Sequence, residues 1–214
     1  LTGTCWQKLS TASEPHTMPV YNAEISAGSL LPLESKRIAT LLLRSPDEVA
    51  WHEAIVIQNI LQKKTPATAR RQATLLRKRL TTLDAKAWEM IASREGEVVS
   101  QLLLAASIKH SHLLGDFLRI VYAHRQRRIE LALSVADWHD FLVECAHHDA
   151  AVAAWTDSTK AKLFQVIVRI LVEARYLDGS RSMKLTPRTL HPDVLRYLRK
   201  HNESYVLGCL ERAP

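Results

Sequence analysis

The stretch TPATARRQATLLRKRL, residues 65–80, restricts the fold more than any other part of this chain. Thr65 can cap a helix, and Pro66 suits a first helical position because its missing N–H would be unpaired there anyway. On a helical wheel with Ala69 at zero, Ala73, Leu76 and Leu80 fall within about 40° of it. Arg70 and Arg77 lie near 80–100°, Thr74 near 140°, and Arg71 and Lys78 near 180–200° on the same wheel. One face is therefore small and apolar and the opposite face cationic, which is the pattern of a docked helix with a charged outer surface. Leu75 departs from the apolar stripe and is expected to touch a neighbouring element. A second proline start, Ser45-Pro46-Asp47-Glu48, offers a capping serine with a glutamate at the reach-back position. It predicts a helix to about Gln62, with Trp51, Ala54, Ile55 and Ile60 on its buried side. The whole chain has only six glycines. Scarce glycine disfavours a hairpin-rich β fold, so the expected class is all-α.

The charge is equally localised. Residues 63–80 carry seven of the 29 Lys and Arg residues and no acidic residue, leaving 22 basic against 22 acidic residues elsewhere. The formal net charge of +7 can thus be assigned to one segment, whose field has a direction. Lys64, Arg71 and Lys78, and likewise Lys63, Arg70 and Arg77, recur at seven-residue spacing with no counter-charge in the segment. Like charges stacked this way repel unless an anion is supplied. Nucleic acid is the anion whose phosphate spacing suits a row of cations along a helix. The segment contains no aromatic residue, which points to duplex backbone rather than single-strand stacking. A helix-turn-helix is expected, with 46–62 across the backbone and Thr68, Arg71, Gln72 and Thr74 near base edges. Four neutralised phosphates give a log–log salt slope of about −3.6. A solvated face, an acidic protein surface as the target and RNA are the competing readings.

The rest of the chain reads as helices. Ser29 is expected to cap a helix through 30–44, preceded by a short extended piece at Tyr21, Ala23 and Ile25. A shorter helix holds Trp88 and Ile91, and SREGE at 93–97 marks an expected junction between two helical lobes, 18–95 and 96–214. Residues 98–132 form one or two long helices with a bend at Gly115. Further helices are expected at 136–146 and from Thr156. Around Asp178-Gly179, short Tyr-Leu and Met-Lys-Leu pieces predict a small wing-like hairpin near 176–187. Its Arg181, Lys184 and Arg188 join the expected DNA contacts, and His124-Arg125-Gln126-Arg127-Arg128 forms another cationic patch. Residues 1–17 show no helical or strand period, and the native start is expected at Met18.

Chemical motifs are absent. No His-Glu-x-x-His, Cys-x-x-Cys, Walker loop, Gly-x-Gly-x-x-Gly or nucleophile elbow occurs. His110 and His112 would point about 200° apart on a helix and cannot share a metal. Asp137, His139 and Asp140 lack a nucleophile and read as surface polar residues. Cys5, Cys145 and Cys209 read as reduced thiols of a cytosolic protein, and no stretch approaches a membrane span. No catalytic residue, cofactor or metal is expected.

Two stretches carry a resemblance: YNAEISAGSLLPLESKRIATLLL at 21–43 and QNILQKKTPATARRQATLLRKRL at 58–80. With Glu34-Ser35, Asn59-x-Leu61-Gln62, Arg79-Leu80, Trp155 with Thr159, and Gly179 followed by Leu185-x-Pro187, the chain resembles the BrxA family of BREX phage-defence systems over about residues 18–200. The resemblance implies an all-helical DNA-binding accessory protein, and with the residue pattern the expected function is non-catalytic binding of double-stranded DNA. It also implies partner subunits, namely a methyltransferase, an ATPase and a phosphatase-like protein, in a system that methylates host DNA and restricts unmodified phage. It supplies no catalytic residues.

Overall fold

The computed structural model describes residues 21–128, 131–186 and 188–211. The leader, Met18, Cys5, Trp6 and Pro187 lie outside the described residues. The fold is all-α, as the glycine count and helical periods predict. A short 3-10 helix, Glu24–Ala27, stands where an extended piece was expected. It leads to α1 (Pro32–Leu42) and α2 (Glu48–His52), the latter continuing as one π-helical turn, Glu53–Ile57. Then come α3 (Pro66–Leu80), α4 (Ala85–Ser93) and α5 (Glu97–His110). A second run comprises α6 (His112–Asp116), a π turn Phe117–Tyr122, and α7 (Ala123–Arg127). The chain closes with α8 (Val135–His148), α9 (Ala150–Ala153), α10 (Asp157–Glu173), α11 (Pro192–Lys200) and α12 (Ser204–Leu210).

Helix α5 is the axis of the fold. Residues 101–108 are all buried, so it is covered on every side, as expected of a helix with no polar face. Helix α3 packs its Ala69, Ala73, Leu76 and Leu80 edge against α5 and α1, while α1 also packs on α4. One hydrophobic cluster runs without interruption from Ile25 to Leu210. It passes through Ile91, Val98 and Val99 on either side of the short connection at 94–96. In the second half of the chain, Phe117 meets Trp138 and Phe141 edge-on at 5.6 and 5.5 Å, and Trp138 stacks on Phe164.

The expected boundaries shift for identifiable reasons. Thr65 and Thr156 cap α3 and α10 as the sequence predicts. Ser29 does not cap α1. Its hydroxyl donates to Glu173, and left-handed Leu31 precedes Pro32 instead. Ser45 is also left-handed, and Asp47 takes over as the cap of α2. The helix expected to reach Gln62 stops at Ile57. There the Gln58 N–H reaches back to Glu53, left-handed Asn59 and Gln62 turn the chain, and the Asn59 amide bonds both backbone groups of Lys63. Ile60 thus lies in the turn, outside the helix. The break in the long central segment falls at extended Ser111, while Gly115 sits inside α6. A Cβ at Gly115 would come within 2.3 Å of the Tyr205 hydroxyl, so glycine here admits the α12 side chain rather than a bend.

The wing-like hairpin does not form. Only isolated bridges, Ala132 to Lys184 and Leu177 to Leu185, occur there among the described residues. Asp178 accepts from the Lys184 N–H and the Ser182 hydroxyl, which curls 178–184 into a compact loop. The Asp178 and Thr186 N–H groups bond the Lys184 and Tyr176 carbonyls around the one Leu177–Leu185 bridge. The Leu185 N–H bonds the Leu131 carbonyl on the other side, so the pairing does not extend into strands.

Candidate nucleic-acid interface

The cationic face of α3 is built by the packing of its opposite edge. The Thr65 hydroxyl accepts from the Thr68 N–H, fixing the first turn. With Ala69, Ala73, Leu76 and Leu80 held in the core, Arg70, Arg71, Thr74 and Lys78 are turned outwards and exposed. Lys64, also exposed, precedes the cap.

The seven cations of the segment do not form one uncompensated row. Arg79 lies in the core at 2% exposure, donating to the carbonyls of Ser29 and Gly28 at 2.6 and 2.8 Å. Burial pulls its pKa down to about 10, and the nearby Glu173 carboxylate opposes that pull. Glu173 in turn accepts from the Ser29 hydroxyl and the Leu30 N–H, both at 2.7 Å. Residues 28–30 are thereby stapled between α3 and α10. Leu75, the irregular position on the wheel, is buried on the same side, against Gly28.

Three more cations have acidic partners from distant parts of the chain. Lys63 pairs with Glu34 of α1, and both side chains are only 18% exposed. Burial is the largest influence on the Glu34 pKa and raises it, but the Lys63 bond and charge, a backbone bond and the nearby Arg37 together outweigh it and the net direction is down. Arg77 pairs with Glu48 of α2 at 2.8 Å and lies over the Trp51 ring at 4.5 Å. Trp51, expected in the core, is half-buried beneath that guanidinium. Lys78 makes two contacts with Glu24, at 2.9 and 3.0 Å, and its hydrogen bond lowers the Glu24 pKa. Glu24 also faces His110 at 3.2 Å. The expectation of a face without counter-charge is corrected for Lys63, Arg77 and Lys78. Lys64, Arg70 and Arg71 make no ion pair with any described residue. They cluster at the N-terminal end of α3.

The expected base-reading set also thins. Thr68 is tied to the Thr65 hydroxyl, and Gln72 is half-buried with its Oε1 atom enclosed and unpartnered. Arg71 and Thr74 stay exposed. Thr74, Arg77, Lys78 and Thr81 line a cleft of about 370 Å³ with Glu48 and Trp51. The π turn at 53–57 packs on α3, but residues 58–65 join them by a longer connection than the three or four residues of a helix-turn-helix.

The other cationic stretches are dispersed. Arg181 and Lys184 are exposed on the 178–184 loop, whereas Arg188 bonds Glu97 at 3.0 Å and the Arg175 carbonyl. Arg125 pairs with Asp137, and Asp137 completes the Ser134 capping box of α8. That double duty accounts for Asp137 as a structural residue. Burial pushes the Cys145 and Cys209 thiols up to about 12, far from thiolate reactivity. Among the described residues no group of three His, Cys, Asp or Glu side chains could hold a metal, and no helix is long and apolar enough to cross a membrane.

Comparison with known proteins adds a family. The BrxA family model matches residues 19–202. The BREX protein BrxA of Paramagnetospirillum magneticum is 40% identical over 193 residues, covering 90% of this chain and 97% of the relative. The BREX protein BrxA of Escherichia coli is 36% identical over 188 residues, 88% of each chain. The crystal structure of an uncharacterized protein from Magnetospirillum magneticum superposes with a TM-score of 0.85 at 38% identity, covering 91% of this chain and all of that one.

Proposed function

The chain belongs to the BrxA family of BREX defence systems, and from that premise we propose that it is a non-catalytic accessory protein that binds double-stranded DNA through α3, with affinity set mainly by phosphates. The observation that carries this reading is the exposed, unpaired cluster of Lys64, Arg70 and Arg71 beside the rigidly docked edge of α3. Those cations carry an unbalanced field at a fixed position, which a polyanion can neutralise. Low sequence selectivity follows from the loss of Thr68 and Gln72 as free base readers, since phosphate contacts position a protein without specifying sequence. A cytoplasmic location and association with other BREX subunits belong to the same proposal.

Three phosphate contacts rather than four give a log–log salt slope of about −2.7 for duplex binding. Fluorescence anisotropy with a labelled duplex should therefore show roughly a fortyfold loss of affinity between 50 and 200 mM salt. A flat salt dependence would exclude the phosphate reading and favour docking on an acidic subunit surface, to be sought by pull-down. RNA that displaces the duplex at equal concentration would favour the RNA reading.

A further inference from the structure

Two of the three carboxylates that meet cations of the α3 segment are placed as competitors of the ligand proposed above. Lys63 and Glu34 are enclosed together, so their pair belongs to the packing of α1 on the turn before α3. The other two pairs are at the surface. Glu48 is 78% exposed and Arg77 36%, while Glu24 is 47% exposed and Lys78 52%. Each pair closes between elements far apart in sequence, so each is a consequence of the fold rather than of helix periodicity. Both lie on the C-terminal half of the cationic face, beside the cleft bordered by Thr74 and Thr81.

Exposed pairs of this kind stabilise a fold by only about 0–1 kcal/mol, so their effect on folding is small. Their effect on a polyanion is larger. A cation already balanced by a carboxylate releases no counterion from a phosphate, and the carboxylate repels the phosphate that would replace it. The Arg77 guanidinium stays anchored over Trp51 whichever anion it meets, so removing the Glu48 charge would leave a preorganised phosphate site.

We propose that Glu24 and Glu48 are specificity-determining residues that confine the phosphate footprint of α3 to Lys64, Arg70 and Arg71 and hold back Arg77 and Lys78 from duplex DNA. This rests on the duplex-binding reading of α3. Its consequence is a protein whose unaided grip on arbitrary DNA is kept weak. A partner that draws either carboxylate away would lengthen the footprint.

The test is duplex anisotropy from 50 to 200 mM salt on the wild type, E24Q/E48Q, E24Q/E48Q/R77Q/K78Q and D140N/E144Q. The last removes the same charge from the exposed face of α8. E24Q/E48Q should steepen the slope from about −2.7 to about −4.5, with an affinity gain of roughly tenfold or more at 100 mM. The quadruple variant should return the slope to the wild-type value, and D140N/E144Q should leave it there. If the double variant unfolds, Glu48→Gln alone, at its exposed position, should steepen the slope by about 0.9. A wild-type slope near −2.7 with no steepening in the Glu variants overturns this inference and leaves duplex binding standing. A similar gain in D140N/E144Q also overturns it, by showing that net charge alone is at work. No salt-dependent duplex binding in any variant removes the duplex reading and this inference together.

Discussion

Arg79→Met is expected to cost about 3–5 kcal/mol of folding stability, the largest effect of any single substitution in the cationic segment. The methionine fills much of the same volume, so the loss measures the polar staple rather than a cavity. Without the guanidinium, the Ser29 and Gly28 carbonyls lose their donors. An unsatisfied buried acceptor costs roughly 1–3 kcal/mol, and here there are two. Glu173 keeps its bonds from the Ser29 hydroxyl and the Leu30 N–H but loses the positive charge that offsets its partial burial. Urea unfolding followed by circular dichroism should show the midpoint falling with the slope unchanged. For a chain of this size the melting temperature should drop on the order of 10 °C. Lysine at position 79 supplies one compact ammonium in place of the fork, so it should recover only part of the loss. A loss below about 1 kcal/mol would show that the two carbonyls find other donors and that the staple does not hold residues 28–30.

The second large effect is on binding. Reversing the charge at Lys64, Arg70 and Arg71 together should lower duplex affinity on the order of several hundredfold at 100 mM salt, because three contacts at about 0.9 log units each are removed. Stability should change little, since the three side chains are exposed and make no ion pair with the described residues. That contrast with Arg79 is the point of the pair of experiments. Four cations of one helical segment, Lys64, Arg70, Arg71 and Arg79, divide into one that builds the fold and three that face outwards. Loss of binding without loss of the unfolding midpoint assigns the triple variant to the interface. If duplex affinity survives and capture by another BREX subunit is lost, the cationic face serves a protein partner instead.

How much of this could be read from sequence depends on how local the causes are. The Thr65-Pro66 start, the Ala69, Ala73, Leu76 and Leu80 edge, and the outward direction of Arg70, Arg71 and Lys78 follow from helix geometry, and the structure places them so. The charge balance does not follow from it. Glu34, Glu48 and Glu24 lie 29, 29 and 54 residues before the cations they meet, and only tertiary packing brings them there. Helix periodicity sees partners three or four residues away, so the face looked bare. Arg79 carried a fainter signal: it lies one turn beyond Leu75, on the side where the apolar edge was irregular. The end of α2 is set too late by sequence because Trp51, Ala54, Ile55 and Ile60 continue a helical face on paper. Left-handed Asn59 and Gln62, with the Asn59 amide clamping Lys63, stop it in fact. The hairpin shrinks to the single Leu177–Leu185 bridge, and its second half, 183–185, also bonds a third segment, 131–133, that no local turn signal could reveal.

The most direct test of the account is to find which surface touches the duplex. A photo-crosslinking residue placed at Thr74, exposed between the two halves of the cationic face, should join to duplex DNA on irradiation, whereas the same residue at Val143, exposed on α8, should not. Crosslinks from position 143 with none from position 74 would contradict the assignment of α3 as the DNA-contacting helix.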